Sequence, residues 1–258
     1  MSDIQILPDL PLILAVGAFA FLLAGFVKGI LGQGLPTVAV GILAIVMSPG
    51  EATALLILPA LVTNIWQGYA GPSFGVLMKR LWPTMLAICL ATWVATWLGF
   101  GLLTPDAAAL ARKALGIALI AYGILGIAHI HFRVPSQIEW WLGPIMGAAN
   151  GAISTATGVF MIPVIPYIQS LGLERDDLVQ AQGISFTIST FALALVLLAN
   201  GTLNVTHATG SVLAVVVSFA GMLIGNRVRT MLRPEIFRML FFIGMLALGI
   251  HLAFIVHR

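Results

Sequence analysis

A chain of 258 residues that is 60% hydrophobic and only 8% charged lies outside the range of soluble domains, where roughly a quarter of residues are charged, and its composition is that of an all-α polytopic membrane protein. The formal net charge of +3 and the pI near 9.4 come from basic residues in short loops between apolar runs, where positive-inside topology explains them without nucleic acid. Cys89 is the only cysteine, which excludes an intrachain disulfide, a multi-cysteine metal cage and a dithiol relay.

The amino terminus, MSDIQILPDLPL, is acidic and lacks the basic flank and small-residue cleavage site of a secretory signal. Residues 1–10 therefore read as a tail ahead of a retained first span. Apolar segments follow at approximately 11–47, 51–70, 82–103, 114–130, 140–171, 178–200, 208–226 and 236–256. The first and fifth are too long to cross once: at about 1.5 Å rise per residue a 37-residue helix reaches roughly 55 Å, against a hydrocarbon core near 30 Å. Each is expected to be broken or folded back on itself.

The first long segment contains GFVKGILGQGLP, in which Lys28, Gly29, Gly32, Gln33 and Gly34 crowd ahead of Pro36. Glycine tolerates strained backbone and proline removes a helical donor, so this stretch frees backbone N–H and C=O groups at membrane depth. Freed groups cannot face lipid, and half-helix amino termini turned into a cavity favour anions. The fifth segment carries a degenerate copy, with Asn150, Gly151, Ser154, Thr157 and Gly158 followed by Pro163. Paired interruptions of this kind point to a transporter site near the midplane.

The order of the segments suggests a duplication. Gly25, Lys28 and Gly29 match Gly147, Asn150 and Gly151, "SPGEATALL" has its counterpart in "GLERDDLVQ", and each half closes with a charged loop and one last span. Two halves result, 11–130 and 140–256, joined by a loop at 131–139, each an interrupted first segment plus three helices, with eight to ten crossings in all. If each first segment crosses twice, Lys79, Arg80, Arg133, Arg175, Arg227, Arg229, Arg233 and Arg238 share one side against Arg112, Lys113 and Arg258. That split favours inverted repeats over parallel ones, and both arrangements put the 227–238 loop in the cytoplasm and both termini outside.

The second segment of each half is polar on one side, with Thr63, Asn64 and Gln67 in one and Gln180, Gln182, Ser185, Thr187, Ser189 and Thr190 in the other. Asn64 with Gln67, and Gln182 with Ser185 and Ser189, recur at helical spacing and can each form one inward stripe. Every carboxylate lies near a predicted segment end or loop, which leaves Lys28 without an acidic partner in its apolar run. An anionic ligand is a natural compensating charge for such a cation. Two plainer readings stand beside this one: Lys28 snorkelling to an interface, and the pairs Gly25/Gly29, Gly147/Gly151 and Gly221/Gly225 serving helix packing. Trp82, Trp140 and Trp141 at span ends read as interfacial anchors.

On GFVKGILGQGLP and its copy GAANGAISTATGVFMIP, the chain resembles the TauE/SafE family of sulfite exporters over nearly its whole length. The resemblance implies a bacterial inner-membrane permease for sulfite, sulfonates or related organosulfur anions, commonly acting in export. It carries over Gly25, Lys28, Gly29, Gly32, Gly34 and Pro36, then Gly147, Gly151, Gly158 and Pro163; Asn150 stands where a second lysine would make the site symmetric. The substrate-binding set expected from residues and resemblance together is Lys28, Gly29, Gly32, Gln33, Gly34, Asn64, Gln67, Asn150, Ser154, Thr157, Gly158, Gln182 and Ser185. No catalytic residue, metal or cofactor is expected. A redox carrier would lack a second thiol beside Cys89, and a hydrolase would lack G-x-S-x-G, H-E-x-x-H and a buried carboxylate. A structural membrane subunit would leave the two polar interruptions unexplained. The expected partners are a small anion and the lipid bilayer, and the sequence leaves monomer or homodimer open.

Overall fold

The computed structural model describes residues 10–128, 133–203, 208–229, 231 and 234–255. The tail before Leu10, the middle of the connection between the halves, and Arg233 and Arg258 of the topology argument lie outside the described residues. Within them the chain is helical without strands. The helices are α1 (Leu10–Leu31), α2 (Leu35–Leu43), α3 (Pro49–Tyr69), α4 (Phe74–Trp97), α5 (Ala108–Ile127), α6 (Ser136–Thr157), α7 (Val164–Ser170), α8 (Arg175–Ala199), α9 (Ala208–Val228) and α10 (Pro234–Ile250), the last continued by a π-turn, His251–Ile255.

Both long segments are broken as the sequence predicts. α1 stops where Gly32 and Gly34 take left-handed φ values of 74° and 104°, a region closed to most side chains, and α2 restarts with Pro36 in its first turn. α6 ends at Gly158, φ 72°, and α7 follows Pro163. α3 is started by a capping box in which Ser48 and Glu51 satisfy each other's backbone N–H groups.

Several predicted boundaries need correction, all in one direction. α4 begins at Phe74 rather than 82, α5 at Ala108 rather than 114, and α8 at Arg175 rather than 178. Lys79, Arg80, Arg112 and Lys113 therefore ride on helices. Apolar patterning misses such turns because a basic side chain on a helix end extends its charged tip toward the interface while its stem stays packed. Arg80 is further held by a two-pronged contact with Glu139 of α6, at 2.9 and 2.6 Å.

Among the described residues, six helices are long and apolar enough to cross a membrane: Pro11–Leu31, Phe74–Trp97, Ala108–Ile127, Arg175–Ala199, Gly210–Val228 and Ile236–Ile255. α3 and α6, with 21 and 22 residues, have the length but not the apolarity, because they carry the polar groups described below. Trp82 and Trp140 are 56% and 73% exposed, which suits residues facing a bilayer rather than the core.

Four helix pairs build the bundle: α1 on α9, α4 on α6, α3 on α8 and α5 on α10. The first two meet backbone to backbone through glycine. A Cβ at Gly25 or Gly29 would lie 1.9 or 2.4 Å from the carbonyl oxygens of Ser218 and Met222, and one at Gly147 or Gly151 would lie 2.4 or 2.6 Å from those of Thr84 and Ile88. Gly221 and Gly225 return the contact from α9, against Leu22 and Phe26. Packing is thus the role of all three glycine pairs, since only a missing side chain lets helix backbones approach this closely. α8 is the most enclosed candidate span, 72% of its apolar window being buried, so its polar stripe faces protein.

Candidate functional site

The last turn of α1 delivers Lys28 to the centre of the bundle, where it is 3% exposed. Its ammonium donates to Thr63 Oγ1 at 3.1 Å and to Asn64 Oδ1, both on α3. The Thr63 hydroxyl gives its own proton to Pro59 O at 2.8 Å, so a lone pair is turned to the lysine. Asn64 continues the chain, donating from Nδ2 to Thr190 Oγ1 of α8 at 3.3 Å. The ion pair Arg80–Glu139 lies on other helices, α4 and α6. Lys28 is held by neutral oxygens alone, and neutral dipoles repay only part of the cost of taking an ammonium out of water.

A second polar cluster sits along α8. Asn150 of α6 is fully buried and donates from Nδ2 to Ser189 Oγ at 3.4 Å. Its Oδ1 has no hydrogen-bond partner, and neither has the Ser185 hydroxyl one turn earlier on α8. One turn further back, Gln182 Nε2 donates to Gln33 Oε1 in the first interruption at 3.4 Å. Buried polar atoms left unpaired cost about 1–3 kcal/mol each, and native proteins keep few of them without a reason. Here two fall in one stripe that also reaches the lysine through Asn64 and Thr190.

The breaks are stitched to this centre. Gln67 Nε2 donates to Gly32 O at 2.9 Å and to Val179 O at 2.8 Å, tying the first break to α8. Thr37 of α2 donates to the Met161 sulfur, so the two breaks touch each other. The amino terminus of α2 has Gly34 as its cap and no side-chain hydrogen bond there. In the second break, Thr157 accepts from Val159 N at 3.1 Å and donates to Ile153 O at 2.8 Å, while Ser154 donates to Gly151 O at 2.8 Å. A Cβ on Gly158 would come within 2.0 Å of Thr53 Oγ1.

Of the residues singled out from sequence, the structure gathers Lys28, Asn64, Asn150, Gln182, Ser185 and Gln33 along the inner face of α8. Gly32, Gly34, Gly158 and Gln67 shape the breaks. Ser154 and Thr157 serve the carboxyl end of α6, and Gly29 belongs to the α1–α9 contact rather than to the polar centre. Thr63, Ser189 and Thr190 complete the hydrogen-bond chain; they were visible only as members of polar helix faces, because a hydroxyl's partner is not written in its spacing. Gln180, on the same helix, is consumed by structure: Nε2 donates to Gly68 O and Gly71 O, and Oε1 accepts from Ser73 N. Taken together, the centre offers one cation, neutral donors and the unpaired Ser185 hydroxyl, an arrangement able to hold and release a small anion.

No curated protein and no solved structure matches the chain significantly. A family model described as Sulfite exporter TauE/SafE matches residues 17–252, which takes in both broken segments, Lys28, Asn150 and all of α8, and the chain belongs to the TauE/SafE family of membrane sulfite exporters.

Proposed function

We propose that this protein moves sulfite or a related small sulfonate across the bacterial inner membrane, most simply as an exporter, and that Lys28 is its anion-binding cation. The observation that carries this reading is a buried ammonium with only neutral partners, Thr63 and Asn64. An ammonium has three donors; two are engaged, and the third, with Ser185 and the donors of the α8 stripe, suits an oxyanion. Neutral donors around one charge bind an anion without holding it permanently.

Alternating access by two inverted repeats follows from the same reading. The contacts of one half recur in the other: Gly25 and Gly29 face Ser218 and Met222, while Gly147 and Gly151 face Thr84 and Ile88. Lys28 bonds Thr63 as Asn150 bonds Ser189. Asn64 meets Thr190, 126 positions on, the same shift that relates Thr63 to Ser189, so the pseudo-twofold axis would pass between α3 and α8. A site on such an axis is where one repeat can rock against the other without moving its ligand far.

The test is radiolabelled sulfite flux in proteoliposomes containing wild type or Lys28→Gln, normalised to monodisperse protein. Wild-type flux abolished by the substitution is the expected result. Equal flux in both would place the anion elsewhere.

A further inference from the structure

Arg112 and Arg238 occupy equivalent places near the starts of α5 and α10. The same shift of 126 positions relates Arg112, Ala121, Gly123 and Ile124 to Arg238, Ala247, Gly249 and Ile250. Their surroundings differ. Arg112 closes the end of α2, donating from Nε to Ala44 O at 2.8 Å and from Nη2 to Met47 O at 3.1 Å. At the end of α7 the carbonyls meet other donors: Leu171 O accepts from Arg80 at 3.2 Å and Ser170 O from Val134 N at 3.0 Å. Arg238 is left over the ring of Phe242, 5.7 Å from its centroid.

That guanidinium lines a cavity of about 270 Å³ shared with Gln33, Tyr122, Gln169, Ser170 and Phe242. Two features make the cavity a site rather than a gap. Tyr122 is 3% exposed and fixed edge-on to Phe242 and Phe241, yet its hydroxyl has no hydrogen-bond partner. Gln33, 6% exposed, lines the cavity and accepts from Gln182, so the cavity adjoins the start of the α8 stripe. Leu125, Pro166, Leu178 and the Phe242 ring supply an apolar side.

We propose that the Arg238–Tyr122 cavity is a second anion site on the access path to Lys28, taking a sulfur oxyanion that carries a short organic group. The guanidinium presents paired donors to two oxygens of the anion, the Tyr122 hydroxyl donates to another, and the apolar wall receives the organic group. Gln33, bonded to Gln182 at the start of the α8 stripe, marks the route from this site toward Lys28. Arg112 has no such role, because its donors are spent on backbone carbonyls. This proposal rests on the transport reading above.

The experiment measures methanesulfonate and sulfite flux against anion concentration in proteoliposomes, for wild type, Arg238→Gln, Arg238→Lys and Tyr122→Phe. Arg238→Gln is expected to raise the half-saturating concentration about tenfold, the scale of one lost charge-assisted contact, with maximal flux within a factor of about two. Arg238→Lys should recover part of the loss, and Tyr122→Phe should raise half-saturation about threefold. Should Arg238→Gln fail to give monodisperse protein, Tyr122→Phe, which removes one oxygen, decides alone. Half-saturation unchanged in Tyr122→Phe and Arg238→Gln, with wild-type flux intact, overturns this site and leaves Lys28 standing. Absence of flux in the wild type overturns the transport reading itself.

Discussion

The two broken segments sit in the same kind of frame and hold different chemistry. Each first helix lies against a partner through a Gly-xxx-Gly pair, α1 on α9 and α6 on α4, and each sends one polar side chain from between its glycines to the neighbouring helix, Lys28 to α3 and Asn150 to α8. The first break uses two left-handed glycines, Gly32 and Gly34, and the second a single one, Gly158. What the difference teaches concerns charge. A second buried ammonium would double the desolvation cost and repel the first, whereas an amide keeps the hydrogen bonds. The frame is common to both halves, and the buried cation stands in the first alone, with an amide at the equivalent place in the second.

The comparison breaks most severely if the frames are not equivalent. Gly29→Leu and Gly151→Leu are each expected to eliminate folded protein, because a side chain there meets backbone that cannot give way. Size-exclusion chromatography of detergent extracts checks both; a well-behaved Gly151→Leu protein beside a lost Gly29→Leu protein would show that the second contact is loose.

Next in size is the charge itself. Lys28→Gln should weaken sulfite binding about thirtyfold, near 2 kcal/mol for a charge-assisted contact, whereas Asn150→Ala should weaken it by less than about fivefold. Calorimetry on purified protein reads both, and affinities that fall equally would mean that the amide contributes as much as the cation.

The backbone breaks come third. Gly32→Ala is expected to cost about 1–2 kcal/mol of stability from left-handed strain alone, since the nearest atom to its added Cβ is Val179 Cγ2 at 3.5 Å. Gly158→Ala adds the clash with Thr53 and should cost more, with Thr53→Ala recovering the excess in the double variant. Chemical denaturation of the four proteins gives the cycle, and no recovery would dissociate Gly158 from Thr53.

The smallest effect is expected at Ser185. Its hydroxyl has no partner, so Ser185→Ala should leave thermal stability unchanged or slightly raised while lowering anion affinity about threefold. Lower stability with unchanged affinity would assign the hydroxyl to packing.

The sequence by itself determined the membrane class, the two places where the chain must break, and which helices carry polar faces. These are local properties: hydropathy is summed over a window, and a left-handed φ beside proline is a preference of the residue concerned. It located Lys28, Asn150, Gln182 and Ser185 for the same reason, because polar residues in an apolar run stand out one by one. Partnership was decided only in three dimensions. Gly29 and Gly32 look alike in the sequence, yet one packs against the α9 backbone and the other turns the chain. Arg112 and Arg238 read as two loop cations, yet one is spent on the carbonyls at the end of α2 and the other faces a cavity, while Arg80 and Val134 meet the carbonyls at the end of α7. A side chain's hydrogen-bond partner depends on which backbone arrives beside it, and that is set by the packing of helices far apart in the chain.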